Sequence, residues 1–364
     1  MSQPSYRSYT MGAARLWHTP SSVAIRQLAG ATALLMLLQS GAARSATNVE
    51  VLQSVSALPP HFAGLFSEPA GFHQLGSGGY LVFDRRGHTV YGIDATMTAA
   101  TKIVQVGQET GRIIQPVAFA VSSDDRFVVA DAPFGRERVQ RFGSAGTRLG
   151  GFVIPGRVEV RVQYGGIVLN GVASIAYEGE SILVNQPERG ALITEYSLEG
   201  WPQRNIGLFR ATGHEDDAEL HRALNTGIPL VNPQGGYYFV FQTGEPRYRK
   251  YDARGTLLFE RMIQGVELDP WMAAQATTWP ARHARELPIV PPIVRTAAVD
   301  RAGNLWIALT LPFTYVYDAD GEKQRVVQFR GAGIIVPASL SFTREGSVLV
   351  TPGCYAFDPR PAHR

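Results

Sequence analysis

Short apolar runs come in pairs along this chain. The first members of the pairs occupy residues 80–83, 127–130, 182–184, 237–240, 305–308 and 348–350, often with a small turn residue just before. A gap of a few residues separates each from a second run ending on an aromatic or apolar residue, often with Asp and then Gly. Those endings are Tyr91-Gly92-Ile93-Asp94, Arg141-Phe142-Gly143, Glu195-Tyr196-Ser197, Lys250-Tyr251-Asp252, Val316-Tyr317-Asp318 and Ala356-Phe357-Asp358. Gly146, Gly200, Gly255 and Gly321 follow the middle four. Runs this short, bounded by turn residues, read as strands. A strand unit recurring about every 40–55 residues predicts a propeller or an array of sheets.

The units fall at 68–107, 112–155, 167–210, 222–265, 292–331 and 334–359. A full unit reads as four strands. In the second these are 117–121, 126–130, 138–142 and 150–154, with Asp124-Asp125 and residues 143–146 as turns. The fifth repeats the plan with strands in 297–299, 304–309, 314–317 and 325–329. The last has strands only at 338–342, 347–350 and 355–357. Residues 49–55 form an orphan strand ahead of the first unit, so we expect them to supply the missing fourth strand and remove two unpaired sheet edges. The predicted fold is all-β: a six-bladed β-propeller over residues 46–364, closed by an N-terminal strand.

Two stretches break the rhythm. Residues 211–224 predict a short helix between units. Residues 266–292 form a long insertion rich in Pro and Trp, and long connections in a compact domain are often functional.

The first 45 residues stand outside the pattern. Residues 1–26 hold Arg7, Arg15 and Arg26 and no acid; an apolar run of eleven residues, 28–38, follows, and Ala43-Arg44-Ser45 offers small residues at a cleavage site. This is the layout of a secretory signal peptide, with Met11 as a second candidate start, and it predicts an exported protein, periplasmic or extracellular. A retained anchor is the alternative, but the run is well short of the roughly 20 residues a membrane span needs. The leader also distorts the charge. The chain has 34 Lys and Arg against 31 Asp and Glu, but four of the Arg lie in residues 1–45, leaving 30 basic against 31 acidic beyond them. A basic nucleic-acid footprint is therefore not expected. Cys354 is the sole cysteine, which excludes an intrachain disulfide and, by its position, an N-terminal lipid anchor; it reads as a buried strand residue.

The fifth unit carries a resemblance. Val299-Asp300-Arg301-Ala302-Gly303-Asn304-Leu305-Trp306-Ile307-Ala308, followed by Val316-Tyr317-Asp318-Ala319-Asp320-Gly321, resembles an NHL-type repeat. Val128-Val129-Ala130-Asp131, followed by Arg138-Val139-Gln140-Arg141-Phe142, resembles another; the other copies are degenerate. The resemblance covers most of the chain beyond the leader and implies a six-bladed propeller, while saying almost nothing about activity.

Glu68-Pro69, with the strands at 80–84 and 90–94 after it, resembles the opening of the gluconolactonase and senescence-marker lactonase family, where a Glu at this place helps bind a divalent metal. Asn170-Gly171-Val172-Ala173 is similar to a ligand-bearing turn of that family. The resemblance implies Glu68 and Asn170 as ligands of a metal such as calcium or zinc. The family's Pro-Asp-Gly is replaced here by Ile293-Val294-Arg295-Thr296, so its metal-binding and catalytic Asp is missing and a hydrolytic water has no base there. The alternative is that Glu68 and Asn170 are turn residues where units begin.

Other chemistry is sparse. His214, Asp217 and His221 fall on one face of the predicted helix, which could bind zinc, but two turns of helix, about 10 Å, separate the histidines, and the surrounding acids read as a solvated face. In the insertion Trp271, Trp279, Arg282, His283 and Arg285 cluster in sequence. Aromatic and Arg side chains anchor binding surfaces, so Trp271, Trp279, His283 and Arg285 are the candidate contacts for a partner; the competing reading is that both Trp pin the loop by packing. No nucleophile elbow, His-Glu-Xaa-Xaa-His, phosphate loop or Cys-Xaa-Xaa-Cys occurs. The sequence thus points to a binding or scaffolding propeller for a protein, peptide or small ligand, without cofactor, nucleic acid or membrane span. The alternative is a metal-dependent, lactonase- or esterase-like hydrolase with its site in the central funnel.

Overall fold

A computed structural model of the 364-residue chain describes residues 48–62, 64–154, 161–164, 167–170, 174–274, 278–279 and 288–360. The leader read at residues 1–45 lies outside them. No helix among the described residues is long and apolar enough to cross a membrane.

Strand β1 (Val49–Ala57) precedes a series of antiparallel meanders. The first sheet holds β2 (Pro69–Gln74), β3 (Tyr80–Asp84), β4 (Thr89–Ile93) and β5 (Ala100–Val104). The second holds β6 (Ala118–Val121), β7 (Phe127–Asp131), β8 (Arg138–Phe142) and β9 (Arg148–Val153). A hairpin of β10 (Arg161–Tyr164) and β11 (Ile167–Asn170) leads to the third sheet: β12 (Ile175–Glu178), β13 (Ser181–Val184), β14 (Ala191–Tyr196) and β15 (Pro202–Leu208). Helix α1 (Ala218–Leu224) precedes the fourth: β16 (Gly227–Val231), β17 (Tyr237–Phe241), β18 (Arg247–Tyr251) and β19 (Leu257–Met262). Helix α2 (Asp269–Ala273) and β20 (Ile289–Val290) follow. The last strands are β21 (Val294–Val299), β22 (Leu305–Leu309), β23 (Thr314–Tyr317), β24 (Lys323–Arg330), β25 (Ile334–Ile335), β26 (Ser339–Phe342), β27 (Val348–Thr351) and β28 (Tyr355–Phe357).

These last strands and β1 make one nine-stranded sheet, in which β1 stands between β24 and β28. The first half of β1 runs parallel to β24, Val49 opposite Val326 through Gln53 opposite Arg330. Its second half turns to pair antiparallel with β28, Ser54 opposite Phe357 and Ala57 opposite Tyr355. The orphan strand thus pairs with the short last meander, as expected. Its second partnership, with β24, was not visible in the pattern.

The chain is all-β, and its sheets are arranged as in a propeller. The opening strands β2, β6, β12, β16, β21 and β26 touch in that order, and β26 touches β2 again. Apolar clusters fill the gaps between successive sheets. Leu81, Phe83 and Val90 meet Phe127, Val129 and Phe142 across one gap, and Phe72, Val82 and Ile93 meet Leu349 and Cys354 across another. This explains the unbroken apolar runs. A second strand such as β7 or β22 lies mid-sheet with a neighbouring sheet on each face, so all five of its residues are buried and no polar alternation survives. The outermost strands β9 and β19 are largely exposed or half-buried.

The turn chemistry matches the sequence. Gly146, Gly200, Gly255 and Gly321 all have φ between 82° and 89°, the left-handed region that glycine enters freely. The Asp residues ahead of these turns spend their carboxylates on the turn itself: Asp318 Oδ1 accepts from the N–H groups of Asp320 and Glu322, and Asp252 Oδ1 from those of Arg254 and Thr256. Cys354 is buried as expected, but it lies in the turn between β27 and β28 with φ of 50° rather than in a strand, and burial pushes its thiol up to about 12.

The helix predicted over 211–224 begins only at Ala218. Asp217 is its N-cap, accepting from the Leu220 N–H at 3.1 Å. His214 and Asp217 therefore precede the helix and share no face with His221, whose Nδ1 lies 2.7 Å from Thr212 Oγ1.

Candidate functional site

The opening strands surround a cavity of about 830 Å³. Small or apolar residues such as Phe119, Ala176, Leu230, Ala297 and Leu340 line its waist. Charged side chains line its two ends: Glu68, Arg85 and Arg295 where the opening strands begin, and Asp125, Glu178, Arg301 and Arg344 where they finish.

At the far end the charges hold turns together. The Gly76 N–H donates to both carboxylate oxygens of Asp125, at 2.9 and 2.8 Å, and the Ser123 N–H donates to Glu178 Oε2 at 3.0 Å. Arg301 Nη1 donates to the Arg344 carbonyl at 2.8 Å, and Arg344 Nη1 to the Gly76 carbonyl at 3.2 Å. Each bond links turns of adjacent meanders, so these charges are committed to the ring.

The mouth is built differently. Asp84, buried at the end of β3, accepts from the N–H groups of Ser67, Glu68 and Gly87 at 2.8, 2.8 and 3.0 Å. This fixes the chain where it enters β2 and sets Glu68 against Arg85, whose Nε and Nη2 both bond its carboxylate. Glu68 does line the cavity, but as half of an ion pair. Asn170 ends β11, and its side chain lies outside the described residues. Among the described residues no group of three His, Cys, Asp or Glu is placed to hold a metal, and a carboxylate already satisfied by a guanidinium is a poor ligand. The described residues do not fit a metal at Glu68.

The candidate contacts of the insertion separate. Trp271, on α2, is half-buried, packs at the rim of a core cluster and lines the cavity. Trp279 packs on Leu220, Ala223, Leu224 and Val290, with its ring edge-on to His214 at 5.2 Å. His283 and Arg285 lie outside the described residues. Trp279→Ala should therefore lower stability by about 2 kcal/mol, less than the roughly 3–5 kcal/mol for a fully buried aromatic because the ring is half-buried, whereas Trp271→Ala should shift the melt much less and change ligand response instead. Thermal melts of the two variants decide it, and the reverse order would mean that the insertion packs otherwise.

His73 was not singled out by the sequence. It lies on β2 in the cavity wall, edge-on to Phe119 at 5.7 Å, and no hydrogen bond ties its ring to a described residue. Burial pushes its imidazole down to about 4, so it is neutral at pH 7 and presents one N–H donor and one acceptor to the channel. A His whose folded pKa lies below its unfolded value weakens the fold as pH falls from about 6.5. Between pH 7 and 4.5 His73 should account for about 2 kcal/mol of acid destabilisation. Urea unfolding of His73→Gln at both pH values should show that part of the loss gone; an equal loss in both proteins would refute the assignment.

Arg210 was also missed. Burial lowers its pKa to about 10, and it stacks on Phe241 at 4.2 Å while donating to the carbonyls of Leu224 and Thr243 at 2.9 and 2.6 Å. It pins the end of α1 to the loop that carries Gln242 into the cavity wall.

No family model matches the chain, and no curated protein matches it. Among solved structures it is similar to a streptogramin B lyase, at 12% identity and a TM-score of 0.47 over 80% of this chain and 93% of that one. It is similar to virginiamycin B lyase from Staphylococcus aureus, at 10% identity and 0.47 over 78% of each chain. It is also similar to a gluconolactonase from Xanthomonas campestris, at 14% identity and 0.46 over 86% of this chain and 98% of that one.

Proposed function

We propose that this chain is an exported six-bladed β-propeller, closed by its N-terminal strand, that binds a small ligand in its central channel. The cavity carries this reading: its volume suits a small organic molecule, and an apolar waist with a few polar groups is the usual make-up of such sites. The six-blade count is supported by the cyclic contact of six opening strands and by taking the nine-stranded sheet as two blades that share β1. Export rests on the layout of residues 1–45, and the NHL-type label on the residue pattern of the second and fifth units. Of the contacts chosen from sequence, Trp271 is the one we retain at the channel; His73 joins it as a neutral polar contact.

The reading is tested with a channel plug. Ala120 is a half-buried residue of β6 in the cavity wall. A ligand found by thermal shift should stabilise the wild type and not Ala120→Trp. Equal stabilisation of a folded Ala120→Trp would move the binding site elsewhere.

A metal-dependent hydrolase is the second reading, favoured only by the presence of Glu68 in the channel wall. A ligand of the folded state raises the melting midpoint by mass action. We expect the midpoint to hold within about 1 °C when EDTA is followed by calcium or zinc, since no group of metal-ligating side chains gathers among the described residues. A rise of several degrees that Glu68→Gln removes would restore the hydrolase.

A further inference from the structure

The channel wall meets a ligand with uncharged groups. The charged side chains at its two ends are already bonded within the fold, and Arg295 is engaged as well. The lining side chains that no hydrogen bond ties to a described residue include His73, Thr296 and Trp271, all uncharged at pH 7. One corner of the waist is preformed. Gly71 and His73, two residues apart on β2, both line the channel, while Phe72 between them packs into the gap toward the last meander. Phe119 stacks on Phe83 with ring centroids 5.0 Å apart, and the His73 ring stands edge-on to it at 5.7 Å. A Cβ on Gly71 would lie 2.8 Å from Phe119 Cδ1, so the bare glycine gives that ring its seat. Beside this aromatic wall the neutral imidazole offers one donor and one acceptor. The acceptor nitrogen suits an O–H donor on an aromatic body. A charged head in the same place would lose its water and gain no free counter-charge, which is costly.

We infer that the channel takes an uncharged phenol, its ring along Phe119 and its hydroxyl donating to the unprotonated nitrogen of His73. This rests on the reading of the channel as the ligand site. It ranks the carboxylate and the ammonium of the same ring system below the phenol, and it makes His73 the residue that tells a hydroxyl from a methyl group.

Four naphthalenes of one shape test it by calorimetric titration at pH 7.5: 2-naphthol, 2-methylnaphthalene, 2-naphthoate and 2-naphthylmethylammonium. The naphthol should bind about tenfold tighter than either charged compound. His73→Leu should weaken the naphthol about tenfold, the value of one lost hydrogen bond, and leave 2-methylnaphthalene within about twofold. His73→Gln, which keeps a donor and an acceptor, should restore most of the naphthol affinity. Ala120→Trp should abolish the binding of every probe. A charged compound that binds as tightly as the naphthol, a naphthol affinity unchanged in His73→Leu, or no binding of the naphthol to the wild type overturns the phenol assignment and leaves the channel reading standing. Undiminished binding of the naphthol to a folded Ala120→Trp overturns the channel reading itself. Should His73→Leu fail to fold, nitrogen-15 spectra of the wild type decide: the His73 ring signals should move with 2-naphthol and stay nearly fixed with 2-methylnaphthalene, and equal movement overturns the inference.

Discussion

A chain lacking residues 48–57 is expected to lose the cooperative fold, not merely to fray at one end. β1 bridges two meanders. Its parallel half covers the outer edge of β24, and its antiparallel half is the fourth strand beside β28. Removal leaves both as open edges, which are templates for aggregation, and strips Leu52 from the cluster it shares with Val327, Phe329 and Phe357. It also removes Glu50, whose carboxylate pairs with Arg325 at 2.8 Å. Without β1 the last meander keeps its chain link to β24 and its contacts across the gaps to β2 and β21, among them Leu349 and Cys354 against Phe72 and the Ser341 hydroxyl on the Phe72 carbonyl at 2.5 Å, but it loses its fourth strand. Far-UV circular dichroism and size exclusion should show a soluble fold for the full chain and an aggregated or unfolded one after truncation. A milder version, Leu52→Ala, should lower stability by about 2–3 kcal/mol. A truncated protein that stays monomeric and melts within a few degrees of the parent would mean that the ring closes without β1.

The strands and turns were legible in the sequence because their causes are local. Burial on both faces of a mid-sheet strand writes an unbroken apolar run, as in residues 127–130, and a turn needing positive φ writes a glycine, as at Gly146 and Gly321. The third strands at 138–142 and 314–317 and the last at 355–357 lie where the pattern put them. Long-range pairing leaves no such mark. Nothing in Val49–Gln53 says that their partner runs parallel and lies at 326–330. The cavity was invisible for the same reason. Its wall is gathered from six segments distant in sequence, so His73, Arg85 and Arg295 line one cavity only in the fold. The insertion drew attention through its tryptophans, yet Trp279 serves packing on α1 while Trp271 reaches the channel. The pattern also misplaced the start of α1. Asp217 is a good cap, and the cap ends what sequence alone extended back to residue 211.

Replacing Arg138 by Met is expected to destabilise the protein more than any other exchange of one surface-proximal residue discussed above, by roughly 3–5 kcal/mol, the range for stranding a buried charge. Asp131 ends β7 with no side-chain exposure and meets Arg138 through Nε to Oδ1 at 2.9 Å and Nη2 to Oδ2 at 2.6 Å. It also accepts from the Ile114 N–H at 3.1 Å, fastening the incoming connection as Asp84 does for Ser67 and Glu68. Arg138 in turn donates to the carbonyls of Gln108 and Arg112 at 3.1 and 3.0 Å. The pair therefore ties the approach to β6, an opening strand of the channel, to the middle of its own sheet. Burial outweighs the guanidinium even in the intact protein and holds the Asp131 carboxyl above its ordinary range. Without Arg138 that upward shift must grow. A carboxyl with a raised folded pKa binds its proton more tightly folded than unfolded, so the fold gains relative stability as pH falls through that pKa toward about 3.9. The deficit of Arg138→Met against wild type, measured by urea unfolding, should accordingly be largest near pH 7 and shrink on acidification. The double change Asp131→Leu with Arg138→Met removes the stranded charge but leaves the Ile114 N–H and the Gln108 carbonyl without these partners, while the Arg112 carbonyl keeps the Gln140 Nε2 donor at 2.7 Å, so it should recover only part of the loss. A pH-independent deficit, with no recovery in the double variant, would assign the effect to the lost packing of the Arg138 stem and not to the charge on Asp131.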